Sequence, residues 1–132
     1  MPKITGSKFE MEYIPAKSMF HIKVWGFYSP EDAQDFINAY VSETQKFTPQ
    51  TTSLVIDSTE LLTSKPEAKV LLVECMKLYM QLPYKNRLFI KSSSPTASMM
   101  IKNAMKSGGM LTEKDGTMLD DMTAIEEYIK TH

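Results

Sequence analysis

Residues 53–67 constrain the fold more than any other stretch, and their sequence is SLVIDSTELLTSKPE. The apolar residues at 54–56 predict a short strand that is buried on both faces. Asp57 follows where that strand is predicted to end, and a loop rich in hydroxyl groups then leads into a long apolar helix. In open α/β sheets, ligands and partners bind at the carboxyl ends of the strands. The stretch therefore predicts both the class of fold and its functional edge, although it does not name a reaction.

Strands and helices alternate along the rest of the chain. Alternation of apolar and charged residues predicts two early strands joined as a hairpin, and serine followed by proline predicts the start of two helices. In chain order the predicted elements are strands at 9–13 and 20–24, a helix from Pro30 that ends before Thr48, a strand at 54–56, a helix from near 64–66 that ends before Pro83, a strand at 87–90, a helix from Pro95 to Gly108, a weak strand within 110–119, and a last helix capped by Asp120 or Asp121.

This order predicts an α/β fold in a single domain that covers residues 1–132. Strands separated by helices pair in parallel, whereas a hairpin adds an antiparallel pair. The expected sheet is therefore mixed and mostly parallel, with four to five strands, an N-terminal β-hairpin and about four helices.

Composition argues against some classes of partner and favours one cellular compartment. The net charge of −1 and the wide spacing of the basic residues between Cys75 and Thr112 argue against a nucleic-acid partner. No apolar stretch is long enough to span a bilayer, and the N-terminus has no apolar leader. A single cysteine favours the cytoplasm. His21 and His132 are too few and too far apart to predict a metal site, so no cofactor is expected.

Two polar segments are candidates for chemistry. Asp57 as a general base would need a histidine or a second acid beside it, and the alternative is that its carboxylate shapes the turn by accepting loop N–H bonds. Lys91, Ser92, Ser93 and Ser94 precede a helix N-terminus, where an anion or small ligand can bind, but serine before proline is also an ordinary helix cap. In both segments the structural interpretation is favoured.

The chain resembles the STAS family, the sulfate-transporter and anti-sigma-factor-antagonist domain, and in particular its SpoIIAA-like branch. The resemblance lies in residues 53–57 as a central strand and in residues 86–110 as a strand, serine loop, helix and glycine stop. Residues 118–128 resemble the last short strand and acidic-capped helix of that family. The resemblance implies a bacterial regulatory domain that acts by binding a protein and is not an enzyme.

STAS antagonists carry an Asp-Ser-Ser-Gly-like motif before the second helix, where a partner kinase phosphorylates one serine. Here the corresponding residues 62–66 contain Thr63 and Ser64 but neither the aspartate nor the glycine. If a phosphoacceptor exists, the resemblance implies Ser64 first and Thr63 next. The SpoIIAA-like branch also resembles small lipid-carrier domains, in which a helix lifts from the sheet to open an apolar cavity.

Three functions follow as expectations. The first is a protein-binding module whose surface or phosphoacceptor group comprises Asp57, Ser58, Thr59, Thr63 and Ser64, with the serine loop beside it. The second is a carrier of a small apolar or amphipathic ligand beneath the helix at 66–82, which is apolar over most of its circumference. The third, with the least support, is a hydrolase that uses Asp57 with Ser58 or Ser64.

Overall fold

The alternation of strands and helices is present in the computed structural model, which describes residues 3–63 and 67–132. The described residues form six strands, four α-helices and three short 3₁₀ turns. The strands and helices are β1 (Ile4–Thr5), β2 (Phe9–Ile14), β3 (Met19–Gly26), α1 (Pro30–Glu43), β4 (Ser53–Leu61), α2 (Glu67–Met80), β5 (Asn86–Ile90), α3 (Pro95–Ser107), β6 (Thr117–Leu119) and α4 (Met122–Thr131).

The six strands form one sheet whose spatial order is the same as their order in the chain, β1-β2-β3-β4-β5-β6. The first two pairings are antiparallel and the remaining three are parallel. The α/β class is therefore confirmed, but the expected count of four to five strands is wrong. The additional strand is β1, whose two residues are too few to show the alternation from which a strand is predicted.

From β3 to β6, each strand lies next to the preceding one, on the same side of it. Since connections between parallel strands are right-handed, the helices in these connections all lie on one face of the sheet. Accordingly α1, α2 and α3 pack on the same face, where the larger hydrophobic cluster lies. The opposite face is covered only in part, by α4, through a smaller cluster around Ile125 and Val55. None of the helices in the described ranges is long and apolar enough to cross a membrane.

The start of α1 is held by a capping box that also contacts the first hairpin. The Ser29 hydroxyl accepts a hydrogen bond from the Asp32 N–H at 3.1 Å, and the Asp32 carboxylate accepts one from the Ser29 N–H at 2.9 Å. Lys8, just before β2, pairs with the same carboxylate at 2.8 Å. The Lys8 ammonium and the capping hydrogen bonds hold the pKa of Asp32 well below its usual range.

We expect Asp32→Asn to lower the thermal unfolding midpoint at about pH 7, and the difference from wild type to shrink below about pH 4. Folding lowers the pKa of this carboxyl, so the ionised group stabilises the folded protein at any pH above the pKa that it has in the unfolded chain. That stabilisation is lost as the pH falls toward the lower pKa of the folded protein. Thermal denaturation across this pH range measures the effect. Glu31→Gln removes an exposed charge from the same helical turn and is the control. A destabilisation by Asp32→Asn that does not change with pH would contradict the argument.

The second half of α2 is fixed to the rest of the molecule by two contacts. Arg87 on β5 donates from Nε to the Tyr79 carbonyl at 3.0 Å and from its terminal nitrogen to the Leu82 carbonyl at 2.5 Å, so it satisfies carbonyls at the end of α2. Gly108, after α3, lies so close that a Cβ there would be 2.5 Å from the Met76 Cβ. The C-terminal half of α2 is therefore anchored to both β5 and α3.

We expect Gly108→Ala to destabilise the protein by about 1–3 kcal/mol, because the new methyl group would collide with Met76 on α2. This cost exceeds the gain of about 0.4–1 kcal/mol that alanine usually brings by restricting the unfolded chain. Urea denaturation measures the difference, and Ser107→Ala, at the exposed neighbouring position, is the control. Equal stability of the two variants would show that the approach of Gly108 to α2 is not tight.

Candidate functional site

The two polar segments predicted from the sequence meet at the carboxyl edge of the sheet. The backbone N–H of Ser93 donates to the Thr59 carbonyl at 3.2 Å, and the Ser93 hydroxyl donates to the same oxygen at 3.1 Å. The end of β4 and the serine loop are thus joined directly. Their shared edge is where a ligand site is expected in an α/β sheet.

Asp57 lies inside β4, not at its end as the sequence predicted, because β4 continues to Leu61. The strand is longer because its last residues still pair with β3, after pairing with β5 has stopped at Asp57. The Asp57 carboxylate accepts hydrogen bonds from the Thr59 N–H at 3.0 Å and from the Thr59 hydroxyl at 2.5 Å. This geometry fits the interpretation that Asp57 shapes the local backbone.

The pairing of β3 with β4 shifts immediately after Asp57. Lys23 is opposite Asp57, but Trp25 is opposite Glu60, so β4 contains one extra residue at this point. Such a bulge reverses the side-chain alternation beyond it. As a result Ser58 and Leu61, which are three residues apart, both face the three-helix side of the sheet.

The side chains of Asp57 and Ser58 lie on opposite faces of the sheet. Consecutive residues of a strand point to opposite faces, so the Asp57 side chain lies on the face away from the three helices. It is on that face that Asp57 acts electrostatically on His21, whose pKa is lowered because burial outweighs the attraction of the carboxylates. Asp57 and Ser58 therefore do not converge on one site.

The serine loop is occupied by its own capping interactions. Ser94 accepts from the Ala97 N–H at 3.3 Å and so caps α3, while the Ser92 hydroxyl accepts from the Ser94 N–H at 3.1 Å. Lys91 pairs with Asp120 at 2.8 Å. The capping interpretation therefore fits the structure, and Lys91 is engaged by a carboxylate of this chain.

The predicted phosphoacceptors are not surface groups where the structure describes them. Thr63 is only 6% exposed and Ser58 only 3%. Thr59 is half-buried beside Asp57, to which it is hydrogen bonded. Ser64 lies outside the described residues. Both Ser58 and Thr63 are directed into the space between the sheet and α2, so a kinase would not reach their hydroxyls in this conformation.

That space is a partly open cavity lined by residues of β3, β4, α1 and α2. Most of its wall is aliphatic or aromatic, with Ile56 and Val24 on the sheet and Leu72 and Met76 on α2. Its volume is about 60 Å³. Since a water molecule needs roughly 10–15 Å³ measured in this way, the cavity as it stands has room for about four to six waters.

The helix that covers the cavity is apolar but incompletely buried. Only Met76 and Tyr79 of α2 are fully buried, and both lie in its anchored second half. In the first half, Val70 is 63% exposed and Leu71 and Leu72 are half-buried. Leu62, just after β4, is 46% exposed. The start of α2 therefore covers the cavity with much less buried surface than its end.

Within residues 3–63 and 67–132, no side chain that lines the cavity is ionised. Burial raises the pKa of the Cys75 thiol to about 12, so the group stays protonated at neutral pH and is a poor nucleophile. The Tyr28 hydroxyl at one wall donates to the Lys8 carbonyl at 2.6 Å and its pKa is raised by burial. The cavity is a neutral, low-dielectric site.

Sequence reasoning did not identify several residues of this site. Tyr79 and Cys75 lie in an apolar helix pattern and Tyr28 follows a predicted strand, so no motif marks them as site residues. Their positions toward the cavity follow from the packing of α2 over β4, which no local pattern encodes. One signal was present: α2 is apolar over most of its circumference, which predicted either deep burial or contact with another molecule.

Comparison with known proteins does not assign the chain. No family model matches it, and no curated protein matches it. The resemblance to the STAS family therefore stays a prediction.

We expect Asp57→Ala to lower the free energy of unfolding by about 0.5–2 kcal/mol, because the Thr59 N–H and hydroxyl lose their acceptor. Asp57→Asn keeps one acceptor oxygen and should cost less. Urea denaturation of both variants provides the comparison. If Asp57→Ala were as stable as the wild type, the proposed role of Asp57 in shaping the strand would be wrong.

Proposed function

We propose that the protein is a non-enzymatic binding protein, or carrier, for a small and largely apolar molecule held between α2 and the sheet. The observation that carries this proposal is a neutral, apolar cavity beneath a helix whose first half is poorly buried. Ligand sites are typically concave and mostly apolar, with a few placed polar groups. The cavity lies below the carboxyl edge of the sheet, as expected for this class of fold.

The size of the cavity sets a condition on the mechanism. Pockets for drug-sized molecules are usually about 300–1,000 Å³, well above the volume of the cavity in its present state. A ligand larger than a few atoms therefore requires α2 to move away from the sheet. Because Arg87 and Gly108 fix the end of α2, the movement proposed here is an outward rotation of its first half about that anchored end.

The arrangement favours binding over catalysis. A nucleophile needs an activating base within hydrogen-bond reach. Ser58 and Asp57 lie on opposite faces of β4, and the Cys75 thiol is held protonated by burial. Among the residues that the structure describes, no group of three or more His, Cys, Asp and Glu side chains is placed to hold a metal ion.

A second candidate function is the docking of a protein partner on the same helix. Leu62 at the edge of the cavity and Val70 on α2 are exposed apolar residues, and an apolar partner surface would cover them. This is the function that the STAS resemblance implies, with a regulatory role in the cytoplasm of a bacterium. Both candidates place the functional surface on α2.

We expect native mass spectrometry of the protein, purified without detergent or organic solvent, to detect a bound small molecule that leaves on collisional activation. Ala33→Leu places extra carbon atoms in the cavity from α1 and should abolish the adduct. Val41→Leu changes an exposed residue of the same helix and should retain it. A thermal unfolding midpoint near that of the wild type establishes that the Ala33→Leu variant is folded.

Two results would contradict the proposal. One is the absence of any adduct from the wild type, together with no binding of an added apolar compound. The other is an adduct that Ala33→Leu retains unchanged, since the molecule would then lie elsewhere. If instead a protein partner is retained by Ala33→Leu and lost in Leu62→Ser, the second candidate is supported.

A further inference from the structure

Three hydroxyl groups border the cavity without a hydrogen-bond partner in the described part of the chain. They belong to Ser58 on β4, to Thr63 after β4 and to Tyr79 on α2. All three residues are more than nine-tenths buried, with Tyr79 only 3% exposed. Buried polar groups are almost always hydrogen bonded, and an unpaired one costs about 1–3 kcal/mol.

The hydrogen bonding of the other buried polar groups indicates where these oxygen atoms lie. Within the described ranges, every side-chain nitrogen or oxygen that is completely enclosed has a hydrogen-bond partner. The oxygens of Ser58, Thr63 and Tyr79 have none, so each must border open space. The space that all three residues line is the cavity.

The neighbouring tyrosines show that this is not a general property of the core. Tyr40 and Tyr84 are hydrogen bonded to each other through their hydroxyls at 2.6 Å. Tyr28 donates to the Lys8 carbonyl, also at 2.6 Å. Tyr79 packs against Tyr40 with ring centroids 5.4 Å apart, yet its own hydroxyl is left for the cavity. Among the buried hydroxyls of the described residues, the unpaired ones therefore all belong to residues that line the cavity.

The three hydroxyls approach the cavity from different sides. Ser58 lies on the sheet, where the bulge of β4 directs it toward the helices. Thr63 lies beyond the end of β4, near exposed Leu62. Tyr79 lies on α2, and long helical side chains lean toward the N-terminus of their helix, which here is the direction of Cys75. A molecule in the cavity would meet one hydroxyl on the sheet, one on the helix and one near the mouth.

The side chains on the cavity wall favour an uncharged ligand. Among the residues that the structure describes, none on the cavity wall carries an ionised side chain, so a carboxylate or ammonium group placed against them would be desolvated without a counter-ion, which is costly. A hydroxyl donates one hydrogen bond and accepts two, which suits a neutral oxygen. Burial raises the pKa of Tyr79 far above its usual value, so its hydroxyl keeps its proton and can donate.

We propose that the ligand is an uncharged amphipathic molecule, with an apolar chain or ring and one or two hydroxyl or carbonyl oxygens that bind Ser58, Thr63 and Tyr79. This inference rests on the proposed function and specifies the chemical class of its ligand. Oxygen atoms of such a ligand would pair with hydroxyl groups that have no partner among the described residues and that only water could otherwise bind.

Isothermal titration calorimetry with compounds of one chain length tests the proposal. The probes are decan-1-ol and 2-decanone, used below their solubility limits, and decanoate and decylammonium, used below their micelle concentrations, all with the wild-type protein. The alcohol and the ketone should bind more than about tenfold tighter than either ion, because a tenfold difference needs only about 1.4 kcal/mol and burying an unpaired charge costs more.

Three variants locate the contacts. Ser58→Ala, Thr63→Val and Tyr79→Phe each remove a hydroxyl with little change of shape. Decan-1-ol has a single oxygen, so the variants that lack a hydroxyl bonded to that oxygen should bind it about three- to tenfold more weakly. Tyr40→Phe removes a buried hydroxyl that does not line the cavity and is the matched control. The thermal unfolding midpoint of each variant shows that it is folded.

The outcomes separate this inference from the proposed function. If no probe binds, the proposed function and this inference both fail. If the ions bind as tightly as the alcohol, or if the three variants bind decan-1-ol like the Tyr40→Phe control, the cavity binds apolar molecules without using its hydroxyls, and only this inference is overturned. Preference for the neutral probes, with loss in the hydroxyl variants alone, supports it.

Discussion

The extra residue in β4 decides which side chains the sheet presents to its three-helix face. Up to Asp57 the strand alternates regularly, with Leu54 and Ile56 toward the helices and Val55 toward α4. If this alternation continued, Leu61 would lie on the face of Asp57. The shift after Asp57 returns Leu61 to the helix side, and the hydrogen bonds between Asp57 and Thr59 stabilise the irregular backbone that makes this possible. The cavity wall depends on this local change of register.

The structure holds the two ends of α2 very differently. Its C-terminal end has backbone carbonyls bound by a buried guanidinium and a backbone contact from Gly108 that allows no side chain. Its first turns have apolar side chains that neither the sheet nor the neighbouring helices fully cover. Free energy of unfolding is rarely uniform across a domain, and the elements that open for ligands are drawn from the less stable parts. By this criterion the first half of α2 is the less stable part of the helix and its C-terminal end is the more stable part.

The sequence predicted what depends on local pattern. Ser29 and Ser94 cap helices as expected, because capping is a property of a few adjacent residues. The extent of β4 and its bulge were not predicted, since Asp57-Ser58-Thr59 has the composition of a turn and only pairing with β3 keeps it extended. Ser58 and Thr63 were expected on a binding surface but are buried over the cavity. Tyr79 has no distinguishing neighbour in the sequence, and its unpaired hydroxyl becomes evident only when the surrounding hydrogen bonds are known.

Tyr79 has two connections that belong to different parts of the molecule. Its carbonyl is bound to Arg87 at the fixed end of α2, while its hydroxyl borders the cavity. Val70 lies nine residues earlier, about 13 Å along the helix axis at 1.5 Å per residue. In any rotation about the fixed end, displacement grows with distance from that end, so the mouth can widen by several ångströms while Tyr79 scarcely moves. A molecule could then enter or leave beside the first half of α2 while the Tyr79 hydroxyl, near the fixed end, keeps its position.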